Sequence, residues 1–269
     1  MSSTVLQERR GKIGILTMNR PEKLNTLNDD LLISLYNGVK EMEEDEELRV
    51  IVVRAAGRSF CAGFDLSPRE KPFTTVMDWH EHAKLGNRTF MALWECKKPT
   101  IAAVQGFALG GGCDLAMACD FTIAADNAVF GEPEIQFSSS TPLVQLPWMT
   151  GMKRAKQVLL TGDRIDAATA EQAGMVTSLA PAEALDDSVM ALAQRLVKIP
   201  VPAMQMNKAA INQFYRLKGM CEALDEGARI FAAVHMTKTP ENEQFFAVAA
   251  KEGLAAAFKW RDALFADEE

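Results

Sequence analysis

Two carboxylates and a run of three glycines are the residues best placed to do chemistry in this sequence. Gly110, Gly111 and Gly112 directly precede an apolar run that carries Asp114, and Glu134 follows in the next polar stretch. A strand that ends in glycines and opens a helix points several backbone N–H groups at one spot, which then stabilises negative charge. Carboxylates beside such a turn can move protons on and off atoms next to a carbonyl. The pattern points to enolate or enolate-like chemistry.

These residues need a scaffold, and the surrounding stretch TIAAVQGFALGGGCDLAMACDFTIAADNAVFGEPEI (Thr100 to Ile135) predicts one. It reads as an apolar strand, a Gly-rich turn, a helix, a second strand at Phe121–Ala125 and a polar loop carrying Glu134. Upstream, Lys12–Met18 and Arg49–Ala55 read as strands, and Gly57–Gly63 as a loop of small residues. Asn28 is placed to cap a helix through Asp29–Met42, where Leu31, Leu32, Leu35 and Val39 recur at helical spacing. A second helical pattern runs from Pro72 to Trp94 and is broken by Lys97-Lys98-Pro99; a further strand is expected at Met175–Leu179. Strands alternating with helices predict an α/β core. After about Pro200 the sequence becomes helical throughout and rich in Ala, Met and Phe. So much apolar surface should pack on the core or on another subunit.

Composition narrows the function classes. The chain has 269 residues, 48% of them hydrophobic and 24% charged, as in an ordinary globular protein. A net charge of −7 argues against a general nucleic-acid binder. The five cysteines form no C-x-x-C pair, which predicts reduced thiols in a reducing compartment. With only three histidines, two of them in His80-x-His82, a protein-ligated metal is not expected. There is no apolar run of membrane-spanning length, no apolar core of a secretory signal near the N-terminus, and no peroxisomal tripeptide in the terminal ADEE. Cytoplasmic location is the expectation.

Five segments, in order, resemble the enoyl-CoA hydratase/isomerase, or crotonase, superfamily. They are NRPEKLNTLN (Asn19–Asn28), SFCAGFDL (Ser59–Leu66), KKPTIAAVQGFALGGGCDLAMACD (Lys97–Asp120), FGEPEI (Phe130–Ile135) and LLTGDRIDAATAEQAGMV (Leu159–Val176), with a weaker match in KEGLAAAF at Lys251–Phe258. The resemblance implies a crotonase-like spiral of ββα repeats over residues 1–200, holding an acyl-CoA site. Residues 201–269 would form a C-terminal helical segment that assembles a homotrimer or a dimer of trimers. It further implies an acyl-CoA thioester as ligand and no separate cofactor. The backbone N–H groups of Phe64 and Gly111 would hold the thioester oxygen, and Glu134 would be the catalytic acid, with Glu132 in a non-catalytic place. Ala62 and Leu66 occupy the positions whose backbone holds adenine, and Arg20, Lys23 and Arg58 are candidates for the phosphates.

The sequence departs from the family pattern at two points. Asp114 stands where hydratases carry Glu, one methylene longer, and reaction geometry is sensitive to about 1 Å. Dienoyl-CoA isomerases share this Asp but need another acid downstream, and Gln136–Met149 contains none. The loop after Glu134 is also shorter than in hydratases and reads Ser138-Ser139-Ser140-Thr141-Pro142, either a polar turn or a substrate contact. The expected activity is enoyl-CoA hydration or 3-hydroxyacyl-CoA dehydration by Glu134 and Asp114. The alternatives are an isomerase using Glu134 alone, a CoA-thioester hydrolase or lyase on the same fold, and an acyl-CoA-binding relative without catalysis.

Overall fold

The computed structural model describes residues 3–266. The terminal Asp267–Glu269, and with them most of the ADEE tail, lie outside the described residues, as do Met1 and Ser2. Two strands begin the fold: β1 (Val5–Arg10), which the sequence reading missed, and β2 (Ile13–Met18). β1 is mostly exposed, so it lacks the apolar signal that marks its partner. Helix α1 (Asp29–Glu44) is capped as expected, with Asn28 Oδ1 accepting from the Leu31 N–H. β3 (Val50–Ala55) leads to α2 (Val76–Glu95), where Thr75 and Asp78 close a capping box.

The central unit is β4 (Thr100–Val104), β5 (Phe107–Leu109) and α3 (Gly111–Ala118), followed by β6 (Phe121–Ala125) and β7 (Val129–Gly131). Short helices α4 (Leu146–Thr150) and α5 (Met152–Thr161) precede β8 (Arg164–Asp166), α6 (Ala167–Gln172) and β9 (Ser178–Ala180). The chain ends in α7 (Leu185–Val197), α8 (Val201–Leu217), α9 (Met220–Met236), α10 (Pro240–Glu252) and α11 (Leu254–Leu264).

Two sheets organise the core. The larger has the order β1-β2-β3-β4-β6-β9, parallel except for the β1–β2 pair, and the smaller the order β5-β7-β8. Successive segments visit the large sheet, then the small-sheet side, then a helix. β4, β5 and α3 do so, and β3 does the same through a parallel bridge between Cys61 and Ala108 before α2. An earlier turn runs from β2 through the Leu27–Phe64 bridge to α1. This repeat is the spiral implied by the sequence segments.

Alternation along the strands explains why the large sheet is buried on both faces. Ile13, Ile15, Val50, Val52, Ile101 and Ile123 face Leu185, Val189 and Ala193 of α7. The intervening Leu16, Met18, Ile51, Val53 and Val104 join the main core with Leu31, Leu35, Phe90 and Phe130. The C-terminal helices also fold against their own chain. Phe231 and Ala228 of α9 pack on Ala83 and Trp79 of α2, while Phe245 of α10 stacks on Phe137 at 5.1 Å between ring centroids.

Candidate active site

The glycine turn sets Gly111 against the Phe64 ring and Gly110 against the Glu134 carboxylate. Gly110 adopts φ +52°, a conformation that favours glycine, and its N–H donates to Gly131 O at 2.8 Å, pinning β5 to β7. Its carbonyl accepts from the N–H groups of Cys113 and Asp114, which starts α3. Gly111 is the first helical residue, and its N–H donates to no other group among the described residues. The Phe64 N–H is likewise uncommitted, although its neighbours are fixed: Leu27 N–H donates to Gly63 O and Asp65 N–H to Leu27 O. A Cβ on Gly111 would lie 2.7 Å from the Phe64 ring, so only glycine lets these two segments approach.

Glu134 does not sit in an open loop, as the sequence suggested. It belongs to a short 3-10 turn, Pro133–Phe137, whose left-handed end at Ser138 returns N–H groups to the Glu134 and Ile135 carbonyls. The side chain lies against Gly110, and its Oε2 is buried without a partner among the described residues. Burial raises its pKa to about 7, against smaller opposing effects from hydrogen bonding, including Glu132, and from Arg261. Proton exchange near neutral pH is therefore within its reach.

Asp114 and Glu132 stand behind it. Asp114 is 1% exposed, and its Oδ2 accepts from Thr141 Oγ1 at 2.7 Å. Burial raises its pKa, with a further contribution from Glu134 that the Thr141 hydrogen bond opposes. Glu132 is also buried, and burial together with the Asp114 and Glu134 carboxyls pushes it well above the carboxylate range. A protonated Glu132 can donate to Glu134, whereas two ionised carboxylates could not bond at all. The sequence ranks Glu132 only as the lesser alternative to Glu134, and its influence on Glu134 is visible only in the fold.

A cavity of about 820 Å³ opens in front of Glu134. Ala62, Phe64, Leu66 and Glu134 line it. Asp114 and Gly111 are not on its wall, and the exposed Lys23 and Arg58 lie outside the lining. Arg20 is held by Asp65 at 2.8 Å. The wall extends beyond residue 200, with Phe231, His235, Phe246, Phe258 and Arg261 supplied by α9, α10 and α11. Sequence reasoning missed these contributors and the cavity-facing Arg69 and Arg164, because the segments that carry them are far apart in the chain.

Comparison with known proteins decides the relationship. The family model described as enoyl-CoA hydratase/isomerase matches residues 8–256. The chain belongs to the enoyl-CoA hydratase/isomerase family. A crotonyl-CoA hydratase from Syntrophomonas wolfei is 34% identical, covering 97% of this chain and 97% of that protein. A short-chain-enoyl-CoA hydratase from Clostridium acetobutylicum is 36% identical over 78% of this chain and 82% of its own length. The fold matches the crystal structure of an enoyl-CoA hydratase/isomerase from Xanthobacter autotrophicus Py2 with a TM-score of 0.95 and 36% identity, covering 99% and 100% of the two chains. The crotonase-like α/β architecture follows from these matches and from the two-sheet spiral.

Proposed function

We propose that this protein is an enoyl-CoA hydratase, equivalently a 3-hydroxyacyl-CoA dehydratase. The observation that carries the reading is Glu134, poised near neutrality against the Gly110–Gly111 turn on the wall of the cavity. Relatives named as hydratases at about one-third identity support it.

The thioester oxygen accepts from the Phe64 and Gly111 amides. As water adds to Cβ, negative charge develops on that oxygen, where fixed donors stabilise it without rearranging. Ionised Glu134 takes a proton from the attacking water and returns one to Cα, so the enzyme ends in its starting state. Thr141 occupies Asp114 Oδ2, and the rest of that carboxyl holds the water. The backbone near Ala62 and Leu66 receives the CoA adenine, while Lys23 and Arg58 meet its phosphates at the surface. Neither a metal nor a separate cofactor takes part in this scheme.

One observation favours a second reading. Asp114 is tied to Thr141 and absent from the cavity wall, which suits an enoyl-CoA isomerase that shuttles one proton on Glu134. Incubating a panel of enoyl-CoA esters in D2O, followed by mass analysis, separates the two. Hydration adds the elements of D2O; isomerisation exchanges a proton without net addition.

Residues 1–200 form the spiral core in this proposal and residues 201–269 the segment that assembles a homotrimer or a dimer of trimers. Support comes from α8, where Met206, Ile211, Phe214 and Leu217 are all more than half exposed. The five free cysteines suit a reducing compartment, and the cytoplasm is the proposed location. No described helix is long and apolar enough to cross a membrane.

A further inference from the structure

An aromatic path leads away from the proposed oxyanion amides. The Phe64 ring contacts His82 at 5.3 Å between centroids, His82 contacts Phe73 at 5.2 Å, and Phe73 contacts Trp79 at 5.0 Å. Trp79 then stacks on His235 at 4.0 Å. All five rings line the same cavity. An acyl chain whose thioester oxygen sits at Phe64 can follow these rings through apolar contact, and it arrives at His235.

The far end of the path is polar. The Phe231 carbonyl can only accept, so His235 Nδ1 donates to it at 2.9 Å and Nε2 is left with a lone pair. That nitrogen faces Ser139 Oγ at 3.2 Å, and accepts the serine proton. Burial lowers the His235 pKa and keeps the ring neutral, consistent with this tautomer. The Ser139 oxygen therefore turns its own lone pairs to the cavity as an acceptor. Beside it, the Ser140 hydroxyl is buried, lines the cavity and has no partner among the described residues. A buried hydroxyl on a cavity wall with no partner among the described residues marks a place for a ligand atom.

We infer that Ser139, Ser140 and His235 form a subsite for an uncharged hydroxyl group carried on the acyl chain, beyond the carbons that react. A ligand hydroxyl can donate to Ser139 and accept from Ser140 at once, satisfying both. A carboxylate cannot donate to Ser139. Arg69 is bonded to Asp29, and Arg164 and Arg261 share the single carboxylate of Asp262, so the cations of the wall are already engaged at their own partners. This subsite rests on the acyl-CoA reading and specifies the substrate class: enoyl-CoA esters with a distal hydroxyl.

Binding and turnover test it separately. Calorimetry with octanoyl-CoA and 8-hydroxyoctanoyl-CoA should show about tenfold tighter binding of the hydroxylated ester, the scale of one or two net hydrogen bonds. Ser139→Ala and His235→Phe should each reduce that preference to about twofold or less, and the ω-carboxyl ester should bind more weakly than the hydroxyl ester. Equal affinities in the wild type, a preference intact in both variants, or tighter binding of the carboxyl ester would overturn the subsite. Hydration of the matching oct-2-enoyl esters is assayed in parallel. Equal binding with normal hydration overturns the subsite alone. A hydroxyl preference without hydration of either ester overturns the hydratase reading and supports the subsite.

Discussion

Glu134 Oε1 occupies the space that any side chain at Gly110 would need. A Cβ added there would sit well inside van der Waals contact of the carboxylate, and the backbone at Gly110 already has φ +52°. The turn that starts α3 and the carboxylate proposed to move protons are therefore fitted to each other.

Gly110→Ala tests that fit. The new methyl displaces Glu134 and strains the turn, so kcat for hydration should fall by at least about 10²-fold, the sensitivity of catalysis to a displacement of about 1 Å. Steady-state assay of a variant shown to fold by circular dichroism checks this; unchanged kcat would separate Gly110 from the position of Glu134.

Glu134→Gln removes the proton carrier while keeping the shape. Turnover should drop by about 10²–10⁴-fold. In the wild type, kcat/KM should rise with pH through about 7 as Glu134 ionises. The stability effect has the opposite slope. The folded pKa, about 7, lies above the ordinary value of 4.5, so the folded state binds more protons between them. Glu134 therefore contributes stability that is fully present below about 4.5 and lost as pH rises through about 7. Urea unfolding at several pH values should show a flatter dependence over this window in Glu134→Gln, and identical slopes would contradict the raised pKa.

Glu132 should act through Glu134. A proton held on Glu132 favours the ionised form of Glu134, so Glu132→Leu should move the acid limb of kcat/KM to higher pH. Glu132→Gln retains a donor and should leave that limb closer to the wild-type position. A pH–rate profile that shifts equally in both variants would mean that the effect is steric.

Asp114→Asn should suppress hydration by about 10²-fold. Exchange of the α-proton in a bound saturated acyl-CoA depends on Glu134 and should suffer less. Both rates are followed by mass analysis in D2O. Equal losses would make Asp114 structural; no loss of either would leave Glu134 as the sole acid–base group and favour the isomerase.

The apolar stripe of α8 should hold subunits together. Light scattering should give a mass three or six times the 29.6 kDa of the chain. Leu217→Glu, at a position 80% exposed in the single chain, should reduce that mass. A wild-type monomer at micromolar concentration would remove the interface.

The sequence by itself determined β2, β3, β4 and β6 of the large sheet, the first helices and the family. It missed the exposed β1 and placed β9, observed at Ser178–Ala180, at Met175–Leu179. Strand patterns such as Ile13–Met18 and Val50–Ala55 are written in neighbouring residues, because each must bury both faces. The Asn28 cap and the glycine turn are equally local, and the turn carries its own physical reason in backbone conformations that favour glycine. The small sheet escaped notice because β5, β7 and β8 are three residues each, too short to show a period. Tertiary structure alone decided which side chains meet. It joined Asp114 to Thr141, set Glu132 beside Glu134, and brought Ser139 to His235 across 96 residues. It also folded α9 to α11 over the cavity of their own chain. Those pairings depend on how helices pack and where carboxyls lose water, and burial of the whole core fixes both at once.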